Sequence, residues 1–231
     1  MYRESGSEVP GAVRWTRDAP GHDRSARVLP DGCLDLIWSS RTGLLVAGPD
    51  TTAHVAAVAA GESYVGLRLS GGSGPAVLGV PAYELRNQRV PLAAIWPEPV
   101  ARRIEERIAE SGRPGQVLDE VAVRRLRLAG GPDPIARVVA ERLAVGGEVG
   151  AVAAAVGLSA RQLHRRCQRM FGYGPKTLAR ILRMCSALAL ARSGVPAAEV
   201  AARTGYADQP HLAREVRRLA GAPLGVLIRQ R

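Results

Sequence analysis

The hydrophobic and polar positions of this chain follow different periods in its first and last parts. Within the first 70 residues, short apolar runs such as CLDLIW, GLLVAG and SYVGLRL are separated by the turn signals LPDG, SRTG and AGPD. In the run YVGLRL, Val65, Leu67 and Leu69 alternate with other residues, which is typical of a half-buried strand. The pattern therefore predicts that the first part is β-rich.

After the β-rich part, the apolar residues recur with a helical period. The segment PEPVARRIEERIAES places Val100, Ile104 and Ile108 four residues apart, which predicts a short amphipathic helix. Two more helical stretches are expected at roughly 116–128 and 134–145. The segment AVGGEVG then makes a plausible joint to the last part of the chain.

The glycine run SGGSGP, residues 70–75, raises the question of a phosphate-binding loop. Such a loop needs a Lys followed by Ser or Thr to reach phosphate and metal, and a helix must start at the right spacing. The run lacks both features. We therefore expect an ordinary loop here.

The segment GLSARQLHRRCQRMFG, residues 157–172, predicts the turn and second helix of a helix-turn-helix. Gly157 suits a turn with positive φ, and Ser159 is a good N-cap for the next helix. One side of that helix is apolar and the other carries hydrogen-bond donors. The apolar stripe is Leu163, Cys167 and Met170, and the opposite side carries Arg161, His164, Arg165 and Gln168.

The segment GYADQPHLAREVRRLAG, residues 205–221, repeats this arrangement about 48 residues later. Gly205 supplies the turn, Asp208 caps the helix, and Pro210 is tolerated in the first turn. The apolar stripe is Leu212, Val216 and Leu219, and the outer side carries Gln209, His211, Arg214 and Arg218. In a helix-turn-helix the second helix enters the major groove of DNA, so two copies predict a reader of two adjacent grooves.

A helix predicted over PKTLARILRMCSALALARSG separates the two segments. About 17 residues at 1.5 Å rise make a rod of roughly 25 Å. With the flanking turns, two recognition helices can lie roughly 34 Å apart, which is one turn of B-DNA.

Net charge supports a nucleic-acid partner for the last part alone. The whole chain carries 32 Lys and Arg against 21 Asp and Glu, a formal net charge of +11. Residues 149–231 hold 14 of the basic residues and 3 of the acidic ones. The entire excess therefore lies in this part, which points to an anionic partner, either nucleic acid or a membrane surface.

Residues 149–231 resemble the DNA-binding domain of AraC/XylS-type transcription regulators. The matching strings are VAAAVGLSARQLHRRCQRMFGYGPKTLARILRM and AAEVAARTGYADQPHLAREVRRLAGAPLGVLI. Cys167 and Val216 replace aromatic residues that usually fill the core of that domain, and LGVLI lacks the usual Tyr-Arg ending. The first part resembles a β-rich sensor domain of one subgroup, through RVLPDGCLDLIW and GVPAYELRNQRVPL.

The resemblance implies an α+β protein with three regions. A β-rich sensor-like domain, a cupin-like barrel or a sandwich, is expected over 1–95, and a helical connector that packs on it over 96–147. An all-α domain with two helix-turn-helix motifs and a linker helix is expected over 148–231. Sensor domains of this family usually bind an effector or mediate dimerisation.

The family motif also implies which side chains meet DNA. Those expected to face bases are Arg161, His164, Arg165, Gln209, His211 and Arg214. Those expected to contact phosphates are Ser159, Gln168, Lys176, Arg180, Arg183, Arg217 and Arg218. The alternative is that these residues have no role in binding and form solvated helix faces, as most runs of charge do.

Other candidate residues lie in the β-rich part. An effector pocket could be lined by Trp15, Trp38, Tyr64 and Trp96, although packing in the core is an equal alternative. Cys33 with His22 and His54 invites a metal or redox interpretation. No further ligand stands at motif spacing, so we expect no metal site or cofactor and favour core packing for Cys33. Cys167 and Cys185 are also expected in the core.

These patterns predict a cytoplasmic transcription regulator that is not an enzyme. The sequence has no apolar run long enough to span a membrane and no signal-peptide pattern. The expected partner is double-stranded DNA; RNA polymerase, a small-molecule effector and a second copy of the chain are further candidates. An alkyltransferase fused to such a domain is rejected, because it needs a zinc-bound cysteine cluster. The alternative is a constitutive DNA binder whose first domain is only a dimerisation scaffold.

Overall fold

The computed structural model describes residues 2–18, 21–22 and 24–229, and in these ranges strands predominate up to residue 91, with one short α-helix before the last strand, and helices follow. The strands are β1 (Tyr2–Gly6), β2 (Val13–Asp18), β3 (Arg24–Val28), β4 (Leu34–Ser39), β5 (Gly43–Ala47), β6 (His54–Val58), β7 (Ser63–Leu69) and β8 (Arg89–Pro91). The helices are α1 (Gly74–Leu78), α2 (Glu98–Ser111), α3 (Pro114–Leu128), α4 (Ala136–Ala144), α5 (Val149–Ala155), α6 (Ala160–Phe171), α7 (Pro175–Arg192), α8 (Ala197–Arg203), α9 (Gln209–Ala220) and α10 (Leu224–Leu227). The expected α+β class is confirmed.

The strands form two antiparallel sheets. The larger has six strands in the order β1-β2-β7-β4-β5-β8, and the smaller pairs β3 with β6. In the large sheet Trp15 pairs with Gly66, which in turn pairs with Ile37 across β4. Among the described residues neither sheet closes into a barrel by itself.

The large sheet has one apolar and one polar face, because neighbouring residues of a strand point to opposite sides. Leu36 pairs with Leu67 on the apolar face, and both are fully buried. Helices α2 and α3 contact the strands of this sheet and join their buried residues to the same core, which we name the first core. The alternation read in YVGLRL is therefore confirmed.

The glycine run at 70–75 forms a loop at its start, and a short helix begins within it. Helix α1 begins at Gly74 after Ser73, whose backbone N–H bonds to the Ser70 carbonyl at 3.0 Å. The sequence has no helix start at the spacing of a phosphate-binding loop; the short helix that does form has Pro75 in its first turn, a position that suits proline. A Cβ on Gly71 would lie 2.1 Å from the Phe171 ring, so this loop is a packing contact.

Helix α2 buries a slightly different stripe from the one expected. Ala101, Ile104 and Ile108 are buried, whereas Val100 is 43% exposed. Residues spaced four apart advance about 40° round a helix at each step, so a strict four-residue repeat drifts off one face. The i, i+3, i+7 set that includes Ala101 fits the face better.

A second core occupies the last part of the chain, and it includes α4. Ala136, Val139 and Leu143 of α4 are buried in the same cluster as Leu178 and Ile181 of α7. The connector of residues 96–147 was expected to pack on the β-rich domain. Only its first two helices, α2 and α3, do so, while α4 packs with the helices that follow it.

Candidate nucleic-acid interface

Helices α5 and α6 form the first helix-turn-helix unit. Gly157 lies in the turn with φ +70°, the left-handed region that glycine adopts without strain. Ser159 and Gln162 form a capping box: the Gln162 N–H donates to the Ser159 Oγ at 3.3 Å, and the Ser159 N–H donates to Gln162 Oε1 at 2.8 Å. Both the turn and the cap agree with the sequence pattern.

Helices α8 and α9 form the second unit in the same way. Gly205 has φ +73° in the turn. The Asp208 carboxylate accepts a hydrogen bond from the backbone N–H of His211 at 2.6 Å, which caps α9. Pro210 lies in the first turn of α9, where its missing N–H costs no helical hydrogen bond.

Helix α7 joins the two units as a single rigid element. Its 18 residues make a rod of roughly 27 Å. Leu178, Ile181 and Met184 along it are fully buried in the second core, and both units pack against the helix. The units are therefore held by one hydrophobic core rather than by a free tether.

The side chains expected to face bases lie mostly on the surface of α6 and α9. Arg161, His164, Arg165, Gln209 and Arg214 are exposed. The three arginines lie on the sides of α6 and α9 opposite the fully buried Leu163 and Leu212, whereas Gln209 is exposed at the first position of α9. A ligand can therefore reach these donors.

His211 differs from the other five, because its ring is already engaged by the protein. It is half-buried, and its Nδ1 accepts a hydrogen bond from the Ala207 N–H at 3.3 Å. The ring also meets Tyr206 edge-on at 5.3 Å between centroids. Only its other ring nitrogen is left for an external partner.

Two of the side chains expected at phosphates share one buried carboxylate. Glu215 on α9 is 9% exposed, and its Oε1 accepts from Arg180 Nε at 2.5 Å. The Arg218 guanidinium donates to both Glu215 oxygens at 3.1 and 3.2 Å. Sequence reasoning counted Glu215 only among the three acidic residues of this part. Its position three residues before Arg218 on one helix could have predicted the ion pair between them.

Arg183 holds the turn of the second unit. Its guanidinium carbon lies 4.4 Å above the Tyr206 ring, and Nη1 donates to the Gly205 carbonyl at 3.4 Å. By contrast, Lys176 and Arg217 are exposed. The phosphate set therefore divides into residues fixed by partners within the protein and residues that extend into solvent.

The other two members of this set serve partly local roles. Ser159 is exposed and its hydroxyl caps α6, while Gln168 is half-buried. Sequence reasoning passed over Arg166, whose Nε donates to Asp133 Oδ2 at 2.6 Å just before α4. This ion pair ties the exposed side of α6 to the segment that leads into α4.

The four aromatic residues expected in an effector pocket do not line one site. Trp15 and Tyr64 lie on the polar face of the large sheet, whereas Trp38 lies on the apolar face. Trp96 is 4% exposed in the first core, and its Nε1 donates to the Leu78 carbonyl at 2.8 Å. The grouping was wrong, because the strand period puts Trp38 and Trp15 on opposite sides.

The polar face instead carries a group of charged residues beside Trp15. Arg68 Nε lies 3.3 Å from Asp31 Oδ2 and 3.9 Å from Asp35 Oδ1. Trp15 Nε1 donates to Asp35 at 2.6 Å, and Arg68 Nη1 donates to Glu4 at 3.3 Å. Three carboxylates thus surround one guanidinium, so this group has a formal excess of negative charge, and Arg17 lies on the same face over the Tyr2 ring.

The three cysteines are poor nucleophiles. Cys167 is fully buried in the second core, as expected, and burial raises its pKa to about 12. Cys185 and Cys33 are half-buried, and burial likewise raises the Cys185 pKa to about 12 and the Cys33 pKa well above its ordinary value. Across the described ranges, no three His, Cys, Asp or Glu side chains are grouped so that they could hold a metal ion. Across the same ranges, no helix is long and apolar enough to cross a membrane.

Comparisons with known proteins match each part of the chain. One family model, a helix-turn-helix domain, matches residues 152–230, and a second, a domain of unknown function (DUF6597), matches residues 12–91. Among curated proteins no sequence matches the chain.

Several solved structures are similar to the chain at low identity. The C-terminal domain of AraT, a response regulator from Geobacillus stearothermophilus, is 24% identical over 42% of this chain and 86% of its own, with a TM-score of 0.38. A probable AraC family transcriptional regulator from Rhodopseudomonas palustris is 24% identical over 41% of this chain and 94% of its own, with a TM-score of 0.35. ToxT from Vibrio cholerae is 7% identical over 98% of this chain and 96% of its own, with a TM-score of 0.47.

The two capped helix-turn-helix units, spanned by one helix-turn-helix family model, define a transcription regulator that binds DNA. Its partner is therefore DNA. What the match shows of the chain's family is a helix-turn-helix domain over residues 152–230.

Proposed function

We propose that the chain binds promoter DNA with α6 and α9 in successive major grooves on one side of the duplex. The observation that carries this proposal is the repetition of one capped, turn-linked unit at both ends of a buried 18-residue helix. A rod of roughly 27 Å with its flanking turns suits the roughly 34 Å between successive turns of B-DNA. We assign this role to residues 148–231 and sensing or assembly to the β-rich part.

We propose that the exposed donors on α6 and α9 select the bases. Arg161, Arg165 and Arg214 have the length and fork geometry to pair with guanine, and Gln209 can pair with adenine. His164 and the free nitrogen of His211 add single donors. The support is that the three arginines lie on the outer faces of the two second helices, opposite their buried stripes, and that Gln209 is exposed at the start of α9.

The phosphate contacts are proposed to be of two kinds. Lys176 and Arg217 extend into solvent and supply positive charge. Ser159 and Gln168 supply uncharged donors. Glu215 binds Arg180 and Arg218 and so fixes the position of their guanidinium donors. Its negative charge also offsets part of the positive charge of these two arginines. Arg183 acts mainly on the turn that it stacks against.

Selection of the full chain against random duplexes tests the proposal. We expect a site with two half-sites about 10 base pairs apart. Arg161→Ala and Arg214→Ala should each relax specificity in a different half-site, at a cost of about 1–3 kcal/mol. Arg217→Ala should weaken all duplexes alike and lower the salt slope by about 1.

The matched control is Arg102→Ala, which removes an exposed arginine on α2, 71% exposed and outside both units. It should leave site selection and salt slope unchanged. If the control reduces binding as much as Arg161→Ala, or if both variants relax the same half-site, two-groove reading is wrong.

We further propose that a small molecule at the β-rich domain modulates this binding, with a constitutive binder on a dimerisation scaffold as the alternative. The support is the acidic group around Arg68 on the polar face, which suits a cationic compound better than an anionic one. RNA polymerase and a second copy of the chain remain proposed partners.

The melting temperature of the full chain, measured with each compound of a metabolite panel, distinguishes an effector-binding domain from a dimerisation scaffold. An effector stabilises the protein in a concentration-dependent way, and amines should score above carboxylates. Asp31→Asn should abolish such a shift while Glu106→Gln, an exposed carboxylate on α2, should not. A flat response over the whole panel, with a dimer in solution, favours the scaffold.

A further inference from the structure

The end of α6 is held by the β-rich part of the chain. Gly172 ends this helix with φ +81°, and its carbonyl accepts from Arg86 Nη1 at 3.3 Å. A Cβ on Gly172 would lie 2.5 Å from Pro49 Cγ and 3.2 Å from the Ala82 carbonyl oxygen. The first recognition helix therefore ends in close contact with two segments that lie outside residues 148–231, the loop at Pro49 and a short 3-10 helix that begins at Ala82.

The end of α9 is held in a corresponding way. The carbonyl of Leu219 accepts from the backbone N–H of Ala53 at 2.7 Å, and that of Ala220 accepts from Arg27 Nη1 at 3.0 Å. The last carbonyls of a helix have no partner within the helix, and a cation there is also favoured by the helix dipole. The β-rich part thus supplies an arginine to the end of each recognition helix.

One short loop, residues 49–53, touches both helix ends, and we name it the bridging loop. Pro49 meets the end of α6 and Ala53 meets the end of α9. Four peptide units span at most about 14 Å. The two ends are therefore connected through a few residues of a different part of the chain, as well as through α7.

The bridging loop is itself tightly fixed. Arg89 binds the Asp50 carboxylate with both guanidinium nitrogens, at 2.6 and 2.5 Å. The Asn87 carboxamide accepts from the Thr51 N–H at 2.8 Å, and the Asn87 N–H donates to the Pro49 carbonyl at 3.1 Å. Asp50 is 7% exposed, so its carboxylate is largely shielded from water.

We propose that Arg27, Arg86 and the bridging loop position the two recognition helices relative to each other, and so set the half-site spacing that the protein reads. These residues are positioning residues that do not touch DNA. Two joined modules gain affinity from each other only when their geometry matches both sites at once. Loosening this contact should therefore reduce affinity for a correctly spaced pair of half-sites and leave a single half-site unaffected.

The test rests on the proposed two-groove function and uses the full chain with three duplexes. One has the selected spacing, one has about five extra base pairs, which turns the second half-site by half a helical turn, and one has a single half-site. Wild type should bind the first at least about tenfold more tightly than the second. Arg27→Gln with Arg86→Gln should reduce that ratio to about threefold or less, with single half-site affinity unchanged.

Two controls separate positioning from charge and from folding. Arg102→Gln with Arg103→Gln removes the same charge from exposed positions of α2 and should keep the wild-type ratio. Arg27→Lys with Arg86→Lys keeps a cationic donor at each helix end and should restore most of the ratio. Melting curves check that each variant is folded.

The outcomes are distinct. A glutamine double variant that keeps the wild-type spacing ratio, or that loses half-site and full-site affinity in equal measure, overturns the inference. Wild type with no preference for two half-sites overturns the proposed function, and this inference with it. Loss of the ratio in the glutamine pair alone supports positioning.

Discussion

At the scale of single residues, Asp35 is a carboxyl that the fold keeps partly protonated near neutral pH. Its side chain is 17% exposed on the polar face of the sheet. Burial is the main reason that its pKa rises from 3.8 to about 6, and Asp31 adds to the rise. Arg68 and the Trp15 hydrogen bond oppose it without cancelling it.

The direction of the shift predicts how stability depends on pH. Between about pH 4 and pH 6 the folded chain holds a proton on Asp35 that the unfolded chain has released, so this group stabilises the fold as pH falls. Asp35→Asn should therefore raise the free energy of unfolding at pH 7 by roughly 1–3 kcal/mol and bring little change at pH 4. Urea unfolding at a series of pH values measures this.

Glu106→Gln is the control for that experiment. Glu106 is 60% exposed in a surface pair with Arg102, and such pairs contribute about 0–1 kcal/mol. An Asp35→Asn difference that is the same at pH 4 and pH 7 would contradict the raised pKa.

Residue roles on the recognition helices show where sequence pattern stops being informative. The exposed donors of α6 could be assigned from period alone, because every fourth or third position shares a face. That Arg180 binds Glu215, 35 residues away, could not, since it depends on how α7 packs on α9. Trp15 and Trp38 were grouped wrongly for a related reason: composition identifies aromatic residues, but register decides which side each one occupies.

At the scale of elements, a side-chain cap marks where α9, the second helix of the second unit, begins. Asp208 accepts from the His211 N–H, and the second unit has no reciprocal partner of the kind that Gln162 gives Ser159 in the first. The start of α9 therefore rests on one carboxylate, which makes it a direct target for substitution.

Asp208→Ala should lower the free energy of unfolding by about 1 kcal/mol, because the first turn of α9 loses an acceptor. Asp208→Asn is the matched control: it keeps an acceptor oxygen and should lie within a few tenths of wild type. Guanidinium unfolding of both variants measures the difference. Equal loss in the two variants would mean that charge, rather than the cap, matters at this position.

Elements were the most predictable part of this protein, and their partners the least. Helices α6 and α9 were recognisable because glycine, cap and apolar stripe all agree at those positions. The second sheet, β3 with β6, was not predicted, because pairing strands 25 residues apart leaves no local signal. The contacts of the bridging loop with the ends of α6 and α9 were equally invisible to sequence reasoning, since they join residues more than a hundred positions apart.

At the scale of the whole molecule, the two cores divide the chain at a point that differs from the expected boundary. Buried residues of the first core end at Leu126, and those of the second begin at Ala136. The second core therefore needs α4, although the family resemblance begins only at residue 149.

A polypeptide of residues 132–231 should accordingly be more stable than one of residues 148–231. Removing α4 takes Val139 and Leu143 out of the core, and burying such side chains is worth about 1.5–3 kcal/mol each. We expect a difference on the order of 3–6 kcal/mol, seen as a lower denaturant midpoint for the shorter polypeptide. Equal midpoints would show that α4 is dispensable for the second core.

Because the fully buried residues of the two cores do not interleave in sequence, the order of biosynthesis has a structural meaning. Once about 128 residues have emerged from the ribosome, every residue of the first core and the whole bridging loop have been made. Helices α6 and α9 are translated later, so each newly made helix end meets a surface that is already folded. The residues that we propose to set the half-site spacing would thus be made before the two recognition helices that they position.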